Sequence, residues 1–213
     1  MNKVLLPTAY LPPISWITVA LHHTDTLIET HESYPKQTLR NRCNIATSSG
    51  ILSLTVPVKR IKGNHTKTLE IAIDNTRNWQ KVHWRSIVTA YNKAPYFLYY
   101  RDLFEPVYKR KYDSLIDLNH DLITLLYKVL QNKKNNIHYT DDYIVKPDYT
   151  DLRTNFPIGL YPDQYFKTEF PRYIQAFEET NGFLPDLSII DLLFNIGPDA
   201  RQYIESMRMS MEL

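Results

Sequence analysis

The sequence predicts an α/β fold with an N-terminal βαβ unit, an inserted β-hairpin and a helical C-terminal half. Three observations carry this expectation. Between Val4 and Thr30, two short apolar runs flank a mixed segment of helical character. Residues 42–73 hold short β-type runs broken by the turn signal Ser48-Ser49-Gly50. From Asn78 onward the apolar residues recur at helical spacing. A chain of 213 residues buries about 70% of its unfolded surface, enough for one core without metals or disulfides. One domain over 1–213 is therefore expected, with 1–75 mainly β plus one helix. Residues 76–213 are expected to be mainly helical, with a long loop at 146–171.

Taken in order, Val4 to Tyr10 reads as a buried first strand closed by Pro12-Pro13. Ile14, Ile17, Val19, Ala20 and Leu21 give the pattern of a helix packed on a sheet, and Thr26 to Thr30 returns as a second strand. Strand, helix and strand over so short a span favour a parallel pair with a right-handed crossover. Arg42 to Ala46, Ile51 to Val58 and Leu69 to Ile73 follow as short β runs, the first two joined as a hairpin. Trp79, His83, Ile87 and Tyr91 stand four apart, with Val82 and Ala90 beside them, on a helix that Pro95 ends. Tyr96 to Phe104 predicts a short helix stopped by Pro106. Ser114 to Gln131 carries a stripe of Leu115, Leu118, Leu122, Leu125, Leu126 and Val129 behind a Ser114/Asp117 capping box. Ile137 to Val145 adds a strand. The loop at 146–171 should pack on the body through Phe156, Tyr161, Tyr165 and Phe166. Leu187 to Asn195 and Pro198 to Met207 close the chain as helices separated by Gly197-Pro198.

Composition removes several classes of function. With 25 basic and 23 acidic residues the net charge is +2, too balanced to draw the chain onto a polyanion, so no nucleic-acid partner is expected. Cys43 is the only cysteine, which excludes an intrachain disulfide and a cysteine-cluster zinc site and suits a reducing compartment. The run Leu11 to Leu21 is too short and too polar to span a membrane, and Met1 to Leu6 is poor for a secretory signal. A cytoplasmic protein without an integral membrane segment is expected. The five glycines are never closer than Gly50 and Gly63, so no glycine-rich phosphate loop is available. His22, His23 and His65 lack metal-ligand spacing, and the sequence specifies no cofactor, no metal and no oligomeric state.

The candidate site residues cluster in the N-terminal part. Arg40 and Arg42 are two apart, so on one extended strand both would project to one face, with Asn41 and Cys43 on the other. Two guanidinium forks make a receptor for carboxylate or phosphate. Thr8 and Tyr10 lie at the end of the first strand, where open α/β sheets bind ligands, and His31-Glu32 follows the second. Thr8, Tyr10, His31, Glu32, Arg40 and Arg42 could converge on one cleft, or the charged members could be solvated or paired structurally. His83 shares the stripe of Trp79, Ile87 and Tyr91, which suits a core histidine; facing the cleft instead, it would serve as a general base. Asn119, within an apolar helix, reads as a structural anchor, and Asp191, three after Ser188, as a capping acid. Cys43 lacks a partner histidine and is not expected to act as a nucleophile.

Several blocks in sequence resemble a known family. Pro7-Thr8-Ala9-Tyr10-Leu11-Pro12-Pro13, Arg40-Asn41-Arg42, Leu54-Thr55-Val56-Pro57-Val58, Trp79 with His83-Trp84, and Tyr91-Asn92-Lys93-Ala94-Pro95-Tyr96-Phe97 resemble the WbqC-like protein family in kind and order. Gly182-Phe183-Leu184-Pro185 with Ser188 to Asn195 looks like a branch of that family known from Bacteroides-type bacteria. The resemblance implies a place among genes for surface polysaccharide, particularly O-antigen. The expectation built on it is acyl or aminoacyl transfer to a nucleotide-linked amino sugar, the partner being an anionic small molecule such as a sugar nucleotide. Arg40, Asn41 and Arg42 would bind the anion, Tyr10 would stack, Thr8 and Glu32 would contact substrate, and His31 or His83 would act as base. The alternative is a noncatalytic module that holds a glycan-assembly enzyme or its substrate. The chain departs from the family where Pro7 and Thr8 stand in place of Gln-Pro, and where His31-Glu32 replaces paired aspartates.

Overall fold

A computed structural model describes residues 3–130, 136–156 and 170–207. The expected packing of Tyr161, Tyr165 and Phe166 lies outside them. The first strand, β1 (Lys3–Pro7), runs into α1 (Ile14–His22) and back into β2 (Asp25–Glu29). The two strands are parallel, with Lys3 opposite Asp25 and Pro7 opposite Glu29, so the βαβ unit is present. Val4, Leu5 and Leu6 are all fully buried. A parallel strand with neighbours on both sides and both faces covered reads as a continuous apolar run rather than an alternation.

The hairpin is formed by β3 (Arg42–Thr47) and β4 (Gly50–Thr55). Gly50 takes a φ of 100° at its turn, a conformation that suits a residue without Cβ. A second, two-residue ladder joins β5 (Val58–Lys59) to β6 (Ala72–Ile73). The expected strand from Leu69 starts late, because Thr68–Glu70 forms a 3-10 turn in which the Glu70 carboxylate accepts the Lys67 N–H at 3.1 Å.

The helices are α2 (Trp79–Tyr91), α3 (Phe97–Lys109) and α4 (Leu115–Val129), the last capped by the Ser114 hydroxyl accepting from the Asp117 N–H. Val82 points outward at 59% exposure. Pro106 does not stop α3, which continues to Lys109. Proline leaves the carbonyl four residues earlier unpaired. Here Asp102 and Pro106 both lie on the exposed side of the helix, and the extra turn buries Val107 and Tyr108.

Two further parallel strands, β7 (Asn136–Tyr139) and β8 (Thr150–Asp151), complete a sheet of order β7-β2-β1-β8. β7 is shorter than the expected 137–145 strand, and β8 falls within the expected loop. The chain then forms α5 (Glu178–Asn181), α6 (Ile189–Ile196) and α7 (Asp199–Ser206). α1 packs against α6 and α7, while α4 meets the sheet through Asn119 against Thr8 and His120 against Tyr139. Phe194 of α6 anchors the helical core, with Tyr91, Phe97 and Phe104 edge-on to it at 5.3, 5.3 and 5.8 Å.

Candidate functional site

A cleft of about 720 Å³ opens at the carboxyl edge of the parallel sheet. His31 and Glu32 enter it from beyond β2, Tyr143 from beyond β7, and Arg153, Thr154 and Phe156 from beyond β8. The segment leading to β3 adds Ser33, Pro35, Thr38 and Arg40, and Lys67 completes the wall. Chain crossovers diverge at this edge of a parallel sheet, which makes it the usual ligand position in open α/β folds.

Its base is a hydrogen-bonded ionic network. Glu29, the last residue of β2, is fully buried. One carboxylate oxygen accepts the His31 N–H at 2.8 Å and the Thr140 hydroxyl at 3.0 Å. The other accepts the Ile144 N–H at 3.2 Å and Arg153 Nη1 at 3.1 Å. Arg153 is clasped in turn by Asp151, whose Oδ1 lies 3.0 Å from Nε and whose Oδ2 lies 2.6 Å from Nη2. Burial raises the Asp151 carboxyl, but hydrogen bonds from Arg153 outweigh it and hold the group below its ordinary value.

On the wall, Arg40 is 3% exposed, and its Nε and Nη2 both lie 2.7 Å from Glu32 Oε1. Arg40 Nη2 also donates to the Arg153 carbonyl at 3.2 Å, tying wall to base. Burial pushes the Glu32 carboxyl above its ordinary value and outweighs the opposing pull of Arg40. The cleft thus sets Glu29, Glu32 and Asp151 against Arg40 and Arg153, with the exposed Lys67 free of ion pairs among the described residues. Counted with the sealed Glu29 and with Asp151 behind Arg153 the site is close to neutral, but of these groups only Glu32, Arg40, Arg153 and Lys67 line the cleft itself.

The structure brings His31, Glu32 and Arg40 together and separates the others. Thr8 is buried beneath the cleft, where its hydroxyl accepts from Asn119 Nδ2 at 3.1 Å; the same amide donates to the Arg40 carbonyl at 2.8 Å. Asn119 is therefore the anchor its position suggested. Arg40 and Arg42 do not share a strand face, because Arg40 sits in the turn before β3 and its charge is engaged by Glu32. Arg42 opens β3 and does not line the cleft. The Asn41 Nδ2 donates to the Val56 carbonyl at 2.8 Å, and the residue does not line the cleft.

Tyr10 and His83 are core residues. The Tyr10 hydroxyl lies 2.9 Å from His83 Nδ1 and 2.9 Å from the Tyr108 hydroxyl, and Tyr10 is fully buried. It has no face open for stacking on a ligand. Burial pushes His83 down to about 4, against a smaller pull from the Thr55 backbone, so the ring is neutral at physiological pH. With Nδ1 engaged and no place on the cleft wall, it is not a base for this site. Asp191 is also internal, accepting from the hydroxyls of Tyr91 and Tyr173 at 3.0 and 2.7 Å. Cys43 is buried and its thiol is pushed well up by desolvation, which makes it inert.

Sequence reasoning missed Lys67, Tyr143, Arg153, Thr154 and Phe156 as lining residues. The one readable signal was Asp151-Leu152-Arg153, a charge pair at strand spacing, and it required recognising a strand two residues long. Among the described residues no cluster of three His, Cys, Asp or Glu could hold a metal. No described helix is long and apolar enough to cross a membrane.

Comparison with known proteins agrees with the sequence resemblance. The WbqC-like protein family matches residues 8–154 and 158–203, which includes the cleft residues from His31 to Arg153. "Uncharacterized protein Rv1507c" of Mycobacterium tuberculosis is 28% identical over 235 aligned positions, covering 98% of this chain and 100% of that protein. No solved structure matches the chain. By the extent of the family match, the chain belongs to the WbqC-like protein family.

Proposed function

We propose that the cleft binds an amino sugar carried on a nucleotide, in surface-glycan assembly, and that the protein transfers an acyl or aminoacyl group to it. Glu32 beside Arg40 and Arg153 gives the wall both an acceptor and donors, which suits sugar hydroxyls, since these donate to the one and accept from the other. Tyr143, which is exposed, lines the cleft and offers apolar ring surface to a sugar face. The carrying observation is Glu32, a carboxyl of raised proton affinity on the cleft wall beside His31. In the transfer, the amine nitrogen bonds to the acyl carbon while the bond from that carbon to its activating group breaks. The leaving group departs with the electron pair, and the amine proton passes to Glu32.

Acylation of nucleotide-linked amino sugars by activated acyl donors, followed by mass spectrometry, tests this reading. Glu32→Gln should retain sugar binding and lose about 10²- to 10⁴-fold in turnover. Wild-type turnover in that variant, or failure of the native protein to bind any such sugar, rejects it. One observation favours a noncatalytic module instead: Val82, Leu98, Tyr99 and Leu103 of α2 and α3 are apolar side chains 41–72% exposed, which suits a protein partner. Binding of the sugar with no turnover for any donor would select that reading.

A further inference from the structure

Beside the cleft lies a group of buried donors that the fold leaves unused. The Tyr34 side chain is 5% exposed and its hydroxyl is buried without a hydrogen-bond partner among the described residues. Among the described residues Thr38, on the cleft wall, buries its hydroxyl unpaired, and Arg42 buries an unpaired Nε. These residues are held closely. The Asn41 N–H closes a turn onto the Thr38 carbonyl at 3.3 Å, and the Tyr34 N–H donates to the Thr66 carbonyl at 3.0 Å. Arg60 stacks over the Tyr34 ring at 5.0 Å and donates from Nη2 to the Tyr34 carbonyl at 3.2 Å. Unlike Arg40 and Arg153, neither Arg42 nor Arg60 forms an ion pair among the described residues.

Orphaned buried polar groups are few in folded proteins because each loses its hydration without replacement. The neighbouring Asn41 Oδ1 is an orphaned acceptor, but the other three are donors. Arginine Nε can only donate, and both hydroxyls can donate at the same time. Burial raises the Tyr34 hydroxyl to about 12, outweighing the opposing pull of Arg40, Arg60 and Arg42, so it keeps its proton to give. A partner that satisfies these donors and the uncompensated charges of Arg42 and Arg60 together must be rich in acceptors and negatively charged. A phosphoryl group is both.

We propose that Arg42, Arg60, Tyr34 and Thr38 form a subsite for the phosphoryl groups of the ligand, adjoining the cleft through Thr38. The inference rests on the reading of the cleft as a nucleotide-sugar site only for what lies at the ligand's other end. It divides recognition in two: the cleft takes the sugar, and the unpaired arginines take the charge.

Calorimetric titration of the full chain with inorganic pyrophosphate, at low and moderate salt, tests the subsite. Native protein should bind with salt-sensitive affinity, and Arg42→Gln and Arg60→Gln should each weaken binding about ten- to a hundred-fold. Tyr34→Phe should weaken binding while its urea midpoint holds or rises, because it removes an orphaned hydroxyl; this variant guards against mistaking misfolding for lost contacts. Absence of pyrophosphate binding by the native protein, or undiminished native affinity in all three variants, overturns the proposal. Arg42-dependent pyrophosphate binding without acceptance of any nucleotide-linked amino sugar would leave the subsite standing and remove the glycan reading. The sugar accepted with affinity indifferent to Arg42 and Arg60 would do the reverse.

Discussion

Replacing Arg153 with methionine isolates the energetic centre of the cleft. Glu29 is fully buried, and the guanidinium 3.1 Å away is its only positive partner among the described residues. Removing one member of a buried pair strands the other charge, at about 3–5 kcal/mol. Three neutral donors, the His31 and Ile144 N–H groups and the Thr140 hydroxyl, remain on Glu29, which places the expected loss near the lower end. The lost contact with Asp151, whose side chain is 34% exposed, adds little because solvent screens it. For a chain of this size about 3 kcal/mol corresponds to a fall in Tm of roughly 6–12 °C. Urea unfolding followed by far-UV circular dichroism should show the midpoint fall with the slope unchanged. Adding Glu29→Gln should recover part of the loss, since a neutral amide tolerates burial better than a lone carboxylate. A loss under about 1 kcal/mol, or a double variant no more stable than the single one, would refute the argument.

Other expectations follow from groups away from the cleft. Asp191 is raised by burial to about 6, so its folded form holds a proton more tightly than the unfolded one. Its contribution to stability is complete below the unfolded value near 4 and is lost as pH rises through 6; urea midpoints at pH 4 and 7 should differ less in Asp191→Asn than in the native protein. His83 carries the opposite sign: its folded value of about 4 lies below the unfolded one, so its contribution is present above about 6.5 and is lost as pH falls through 4. Its ring resonances should titrate near pH 4, and a midpoint near 6.5 would contradict the core placement. Gly197 takes a φ of 58°, and a Cβ there would overlap the Tyr96 ring. Gly197→Ala should therefore lower stability by more than the roughly 1–2 kcal/mol of left-handed backbone strain alone, as read by calorimetry.

Much of the scaffold was legible because its residues state their own burial. Val4 to Leu6 form an unbroken apolar run on a central parallel strand, and Trp79, His83, Ile87 and Tyr91 mark the inner face of α2. β8 was hidden because two residues cannot display a period, and with it went Arg153 and the base of the cleft. Pro106 misled because whether a helix continues past a proline depends on what the following turn buries, here Val107 and Tyr108, which is a tertiary fact. The arginines misled differently. Sequence spacing reports direction only on a strand, and Arg40 precedes the strand, so its charge went to Glu32 while Arg60, eighteen positions after Arg42, came to lie over Tyr34. Tyr10 and His83 were drawn toward a ligand by chemistry that they spend on each other.

The sheet's inner pair is encoded between Lys3 and Glu29, whereas its outer strands come from Asn136 to Asp151. As the chain leaves the ribosome, Glu29 emerges more than a hundred residues ahead of the arginine that will neutralise it. A lone carboxylate resists desolvation, so that end of the nascent layer should stay hydrated until its late counter-ion arrives, and the cleft above it becomes one of the last features the folding polypeptide acquires.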